Sequence, residues 1–417
     1  MYSSGVLKGF SYRAYPTGDQ RRALARLFGC CRVVFNDAVQ ARRDARDRGM
    51  PYPGLSELQH SVITQAKTTP DRAWLAQVSN VPLQQSVRDA DRAYRNFFDS
   101  VKGTRKGPKV GFPRFKSRRG RQSARFTRHA FTVAHTNGCR WGFVTLSKVG
   151  RIKIAWSRDL PSDPSSATII LNPDGTYHVS FVVDVPAFPH AEPLREGCGV
   201  DLGHRSLASV AGTDGAREKM ANLHPLETSL SKLARQQKSL ARKQKGSRNY
   251  DKQRLKVAKT HAHTAHIRTD NAHKISTRLV RENQLISMED LDVKALCQGW
   301  PSRRQRRAQH DAGWGMLRTL VQQKADERGR AVVLVDPADT SAACAVCGWR
   351  NPALGSKHVW TCEGCGAVLD RDWNAAVNIL VAAGLAETLN ACGGDIRLAL
   401  VRADPDETGT RRTHCRH

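Results

Sequence analysis

Long apolar runs are missing from this 417-residue sequence. No stretch approaches the roughly twenty consecutive apolar residues that a membrane-crossing helix needs, and the opening "MYSSGVLKGF" holds no apolar core of signal-peptide type. Both absences point away from a membrane or exported protein, and the expected location is cytoplasmic and nucleoid-associated. Acids are the second shortage. Against 67 Lys and Arg stand 38 Asp and Glu, a formal +29, and the isoelectric point is near 10.2. A field of that sign attracts a large polyanion, and nucleic acid is the first candidate. A paired-cysteine framework is lacking as well: eleven cysteines are an odd number, and no export signal accompanies them. They argue for metal binding in a reducing compartment rather than for disulfides. No internal repeat occurs.

What is present divides by pattern. "YPTGDQRRALARLFGCCRVVFNDAVQARRDARDRG" and "NVPLQQSVRDADRAYRNFFDSV" carry apolar residues three and four apart and read as amphipathic helices; the aromatic cluster Tyr94, Phe97 and Phe98 belongs to a helix–helix core. Residues 102–125 then hold ten Lys or Arg and no acid. Such a run is either a solvated loop or a strip that contacts phosphates, and Phe112, Phe115 and the prolines favour an ordered strip. From about 126 to 187 the period changes to two, with "NPDG" between alternating apolar residues as a hairpin turn, and a small β-barrel is expected. Past a Pro-rich junction, the order strand, strand, two long helices, strand, helix, strand, helix suits a mixed α/β sheet. Within it "PSRRQRRAQHD" reads as a basic loop, and His261, His263, His266 and His273 read as polar-face residues of the long helices. The tail 391–417 has little periodicity, and disorder is expected there.

Chemistry concentrates in two motifs. Cys344, Cys347, Cys362 and Cys365 form CxxC-x14-CxxC. Each pair, followed by Gly348 or Gly366, offers two thiolates on a tight knuckle, so the four suit a closed, structural Zn²⁺ site. Three acids stand at the ends of apolar segments: Asp201 in "GVDLG", Glu289 in "ISMEDL", and the "DRD" before "WNAAVNIL". Carboxylates that cluster repel unless a cation neutralises them; Mg²⁺ or Mn²⁺ is the usual solution, and a pair of such ions supports phosphodiester cleavage.

"GVDLG", "ISMEDLDV", "WGMLRTLVQQKADERG", "DTSAACAVCG" and "CEGCGAVLDRDWNAAVNILVAAG", in this order, resemble the TnpB family, transposon-encoded relatives of the compact type V CRISPR nucleases. "YPTGDQRRALARLFGCCRVVFNDAV" and "GFPRFKSRRGRQS" are similar to that family too, so the resemblance spans almost the whole chain. It implies a multidomain α/β protein: a RuvC-like RNase H fold (195–337 and 368–390) with an inserted zinc ribbon (338–367). A wedge β-barrel (1–12 and 120–190), carrying a helical recognition insertion (13–119), precedes it. It also implies an RNA-guided DNA endonuclease with a guide RNA from the transposon end and double-stranded target DNA read beside a short flanking motif. Two Mg²⁺ or Mn²⁺ ions would be held by Asp201, Glu289 and Asp372; Asp372 is chosen because the family's acid lies two residues before Asn-Ala-Ala, which leaves Asp370 as a helix cap. The ribbon would hold target nucleic acid beside that site. Arg114, Lys116, Arg118, Arg119 and Arg121 would grip nucleic-acid backbone, and Gln84 and Gln85 would read base edges. A monomer is favoured. The alternatives are a transposase that itself cuts and joins strands, and a non-catalytic RNA-guided DNA-binding regulator.

Overall fold

The computed structural model describes residues 6–185, 191–299, 302–355 and 357–385. The expectation for the tail lies outside these residues. The chain divides into two units, one of residues 1–187 with 254–259, the other of 188–253 with 260–417.

The first unit opens with strand β1 (Val6–Tyr15), then helix α1 (Gly18–Asp47). Thr17 and Gln20 form a reciprocal capping box that starts α1, and Leu24, Leu27, Phe28, Val34 and Ala38 form its buried stripe. A short α2 (Leu55–Gln59) leads to α3 (Asn80–Val101), whose Leu83, Val87, Ala90 and Tyr94 meet that stripe. The aromatic cluster behaves as expected: Tyr94 touches Tyr52 and Phe98, and Phe112 packs edge-on against Tyr94 and Phe97.

Six further strands complete a seven-stranded antiparallel sheet: β2 (Gln122–Thr127), β3 (Phe131–His135), β4 (Trp141–Leu146), β5 (Gly150–Ala155), β6 (Ser166–Leu171) and β7 (Tyr177–Val185). Their order is β2-β6-β7-β1-β5-β4-β3. The expected barrel is corrected to a half-barrel, because β2 and β3 are its two edges and share no ladder. Val179, Phe181, Val183 and Val185 point inward from β7 as the alternation requires. Each such fully buried side chain contributes about 1.5–3 kcal/mol.

The second unit is built on a five-stranded sheet of β8 (Arg195–Asp201), β9 (Ser206–Gly212), β10 (Arg217–Ala221), β11 (Asn283–Glu289) and β12 (Ala331–Val335), ordered β10-β9-β8-β11-β12. The first three strands are antiparallel neighbours, and β11 runs parallel to both β8 and β12. Helices α4 (Pro225–Ala241) and α5 (Arg248–Glu282) connect β10 to β11. His261, His263, His266 and His273 of α5 are exposed, as read. Between β11 and β12 lie α6 (Val293–Gly299), α7 (Arg303–Ala312) and α8 (Trp314–Glu327). Here the basic "loop" is corrected to a helix. Ser302 and Gln305 make a capping box, and Gly313, at φ 69°, closes α7 in the left-handed conformation. β10 was not anticipated: it is an edge strand with one buried residue, Met220, and "REKMA" lacks a strand's alternation.

A two-stranded hairpin of β13 (Val359–Thr361) and β14 (Val368–Asp370) carries Cys362 and Cys365 in its turn, Cys344 and Cys347 lie in a turn closed by an Ala343–Arg350 bridge, and α9 (Arg371–Ala382) follows β14 with no intervening residue. α9 lies against β8 at a close approach that Gly199 permits. A β-carbon on Gly199 would stand 2.0 Å from the Ala376 carbonyl oxygen.

Candidate functional site

The sheet register brings two of the expected acids together. Val200 of β8 pairs with Met288 of β11 in parallel, so the next residues, Asp201 and Glu289, stand side by side on one face at the strands' C-terminal ends. Across the other edge, Asp201 pairs with Ser209 and Ser209 with Lys219. Lys219, Ser209, Asp201 and Glu289 thus form one lateral row over four strands. Asp372 comes to the row from the first turn of α9.

The electrostatics register the crowding. Asp201 is pushed up to about 8, first by burial and then by the charges of Glu289 and Asp372. Glu289, 8% exposed, is raised by burial, an effect opposed by the Thr340 hydroxyl, which donates to its Oε1. Asp370 behaves oppositely. Burial would raise it, but the Lys219 ammonium and the N–H groups of Asp372 and Trp373 outweigh that and hold it below the ordinary carboxylate range. Both N–H groups donate to Asp370 Oδ1 at 3.1 Å, so Asp370 is the cap of α9, as expected. Lys219 Nζ donates to Asp370 at 2.8 Å and to Asp372 at 3.4 Å, and lies 4.9 Å from the centre of the Trp373 ring. Neither Lys219 nor Thr340 was marked by the sequence. Among the described residues, the group of three or more ligating side chains whose donor atoms all lie within 4.8 Å is the cysteine set, so the three carboxylates do not all come within that distance of one another.

The four thiols do converge. Cys344 and Cys365 sulfurs are 3.8 Å apart and those of Cys347 and Cys362 are 3.6 Å apart. Those separations are too long for disulfides. A tetrahedron of zinc–sulfur bonds of about 2.3 Å has edges of roughly 3.8 Å, so the set fits zinc. The knuckles are near copies of each other: Gly348 N–H donates to Cys344 O and Gly366 N–H to Cys362 O, both at 2.8 Å, with both glycines at φ 76°. Without a metal the crowded thiols part: burial raises the Cys362 thiol, but the N–H groups of Cys365 and Gly364 prevail and bring it down to about 7, while burial pushes Cys344 up to about 12. Two asparagines of α9 tie that helix to the first cysteine knuckle. Asn374 accepts from Ala345 N–H at 2.8 Å and donates to Ala343 O at 2.7 Å, while Asn378 donates to the carbonyls of Thr340 and Ala343, each at 2.8 Å.

Of the residues expected at nucleic acid, the cations are all exposed and the two glutamines divide. Arg114, Arg118, Arg119 and Arg121 are exposed. Lys116 is exposed too; its backbone is paired with the Asn36 amide, and its ammonium rests 3.9 Å from the centre of the Phe35 ring. Gln85 is only 7% exposed on the packed side of α3, so reading of a base edge by its amide is corrected to a core position. Gln84, half-buried, remains.

Comparison with known proteins places this architecture. The chain is 39% identical over 401 residues to a Streptomyces pristinaespiralis protein named "Putative RNA-guided DNA endonuclease", covering 94% of this chain and 92% of that one. The chain belongs to the TnpB family. A TnpB-family relative from Escherichia coli K12, "Putative RNA-guided DNA endonuclease InsQ", is 31% identical, covering 93% of this chain and 94% of its own length. Family profiles match residues 180–298 ("Probable transposase"), 314–379 ("Cas12f1-like, TNB domain") and 1–50 ("Helix-turn-helix domain"). Among the described residues of this TnpB chain the last span holds β1 and one unbroken 30-residue helix, not a helix-turn-helix. Among solved structures, the Cas12f1–sgRNA–target DNA complex aligns with a TM-score of 0.57 at 13% identity, over 90% of this chain and 99% of that one. A CRISPR-Cas mini-RNA-guided endonuclease aligns at 0.56 and 10% identity, over 91% and 92%. These likenesses establish the fold alone. No helix among the described residues is long and apolar enough to cross a membrane.

Proposed function

We propose that this TnpB-family chain is a transposon-associated RNA-guided DNA endonuclease that cuts at Asp201, Glu289 and Asp372. The observation that carries this reading is the convergence of three acids from β8, β11 and α9 at one end of one sheet, close enough that Glu289 and Asp372 bear on the buried Asp201. Two Mg²⁺ or Mn²⁺ ions at these acids would supply an activated water and a stabilised leaving oxygen. The chain's own residues prepare the place. Thr340 orients Glu289, Lys219 and the cap at Asp370 fix the start of α9, and Gly199 lets α9 approach β8.

On this reading the five-stranded sheet is the RuvC-like core, Cys344, Cys347, Cys362 and Cys365 hold a structural zinc in the inserted ribbon, the half-barrel is the wedge, and α1 to α3 form the recognition insertion. Arg114, Lys116, Arg118, Arg119 and Arg121 grip backbone phosphates, Gln84 reads a base edge, and the partners are a guide RNA from the transposon end and double-stranded DNA with a short flanking motif. Relatives named as RNA-guided DNA endonucleases over nearly their full lengths support the assignment.

The test is cleavage of a plasmid library with randomised flanking bases by the chain co-expressed with its transposon-end RNA, beside Asp201→Ala. Guide-dependent cutting that vanishes in the variant is expected. RNA retention with no cutting at any Mg²⁺ or Mn²⁺ concentration would leave guided binding without cleavage as the function.

A further inference from the structure

The face of the half-barrel opposite its core carries an arrangement that the cleavage site does not use. Trp141 and Phe143 of β4 point away from the buried side, since Gly142, Val144 and Leu146 take the inward positions. On the neighbouring strand Phe143 pairs with Lys153 and Thr145 with Arg151. On β1, Tyr15 pairs with the same Lys153, is 46% exposed and meets Trp141 edge-on at 5.4 Å. Three rings from two strands therefore share one face.

Exposed cations lie over these rings. Arg151 sits 3.9 Å from the centre of Phe143, and Lys153 4.0 Å and Arg140 5.5 Å from that of Trp141. Among the described residues the side chains of Arg140, Arg151 and Lys153 make no ion pair. Strands β1, β3, β4 and β5 contain no Asp or Glu. A cation resting on a ring gains about 0.5–1 kcal/mol at an exposed site, little enough for an incoming π-face to displace. Rings two residues apart on one strand are about 7 Å apart, so Trp141 and Phe143 can each take a separate base. The displaced cations then face the phosphates on either side.

We infer that Tyr15, Trp141 and Phe143 form a stacking platform for unpaired bases of single-stranded RNA, with Arg140, Arg151 and Lys153 neutralising the flanking phosphates. A duplex is a poor occupant because its bases are already stacked on each other, whereas unpaired bases expose the faces that aromatic rings bind. The inference rests on the proposed RNA-guided function for its choice of RNA, but not on the nuclease residues.

The test uses the full chain and a short, unstructured oligouridylate carrying one thiouridine. Photocrosslinking followed by peptide mapping is expected to mark the segments holding Trp141–Phe143 or Tyr15. Trp141→Leu and Phe143→Leu are each expected to weaken binding of the unlabelled oligomer roughly 5- to 150-fold, the range for loss of one base–ring stack. Arg151→Gln with Lys153→Gln, which leaves the rings in place, should weaken binding and flatten its salt dependence. Crosslinks confined to other segments, or unchanged affinity in a Trp141→Leu protein whose circular dichroism is that of the parent, overturn the inference. Guided cleavage is measured on the same preparations. Cutting with no platform effect removes the platform alone; platform crosslinks without cutting remove the nuclease reading alone.

Discussion

The ammonium of Lys219 lies 2.8 Å from both carboxylate oxygens of Asp370, so the edge strand β10 is fastened to the first turn of α9 by one side chain. Lys219 also occupies the outer end of the row that runs through Ser209 to Asp201. A residue with no catalytic motif around it therefore holds in place the helix that delivers Asp372.

Replacing Lys219 by Met should lower stability by about 1 kcal/mol, a charged hydrogen bond discounted for partial exposure. Lys219→Arg should restore most of it. Urea unfolding of the three proteins, read by circular dichroism, measures the difference.

The two neighbouring acids should separate cleanly. Asp370→Ala removes the cap of α9 and should cost about 1 kcal/mol of stability. Asp372→Ala should leave stability within about 0.5 kcal/mol and abolish guided cleavage. Thermal unfolding beside plasmid cutting distinguishes the pair.

Asp201 gives a pH dependence with a definite sign. In the metal-free fold its pKa stands at about 8, above the unfolded value near 4. Between those values the folded state keeps a proton that the unfolded state has lost, so its contribution to stability is complete below about pH 4 and is lost as the pH rises toward 8. In chelator, the parent protein should melt at lower temperature at pH 8.5 than at pH 6. Asp201→Asn should flatten that slope, melt higher at pH 8.5 and cut nothing.

One zinc per chain is expected by elemental analysis. Cys344→Ser with Cys362→Ser should bring it to zero, since one ligand is lost from each knuckle. The seven-stranded sheet should persist by circular dichroism, while proteolysis should open the segment around residues 344–366.

Gly199→Ala should be the most damaging single-methyl change in the second sheet. The added carbon meets the Ala376 carbonyl at 2.0 Å, so α9 must move away from β8. A loss of about 3 kcal/mol is expected, at the upper end for overpacking. Cleavage should fall with it because Asp372 rides on the displaced helix.

Helices α1 and α3 and strands β7 and β11 were legible because burial dictates their periods and the sequence keeps to them. The cysteine knuckles were legible because ligand chemistry fixes their spacing. α7 was hidden by its four arginines and histidine, which drown the period, although its Ser302–Gln305 box was in plain view. The open edge between β2 and β3 could not be read, since closure depends on pairing between distant segments. Gln84 and Gln85 are one step apart on a helix, and only packing decides which of them is covered. Lys219 is a lone cation on an edge strand. Its role exists only once β10 lies across the sheet from Asp201.

Asp370 is at once the last residue of β14 and the cap of α9, with no slack between them. The ribbon and the helix bearing the third acid are therefore one mechanical piece, joined again by Asn374 and Asn378. On the proposed reading, zinc loading and the placing of the third acid would then be acquired in a single step of maturation. On the proposed reading, a copy made in a zinc-starved cell would keep its basic surfaces, its half-barrel and the Asp201–Glu289 pair while Asp372 stayed out of place, a built-in delay between possessing the nuclease and being able to use it.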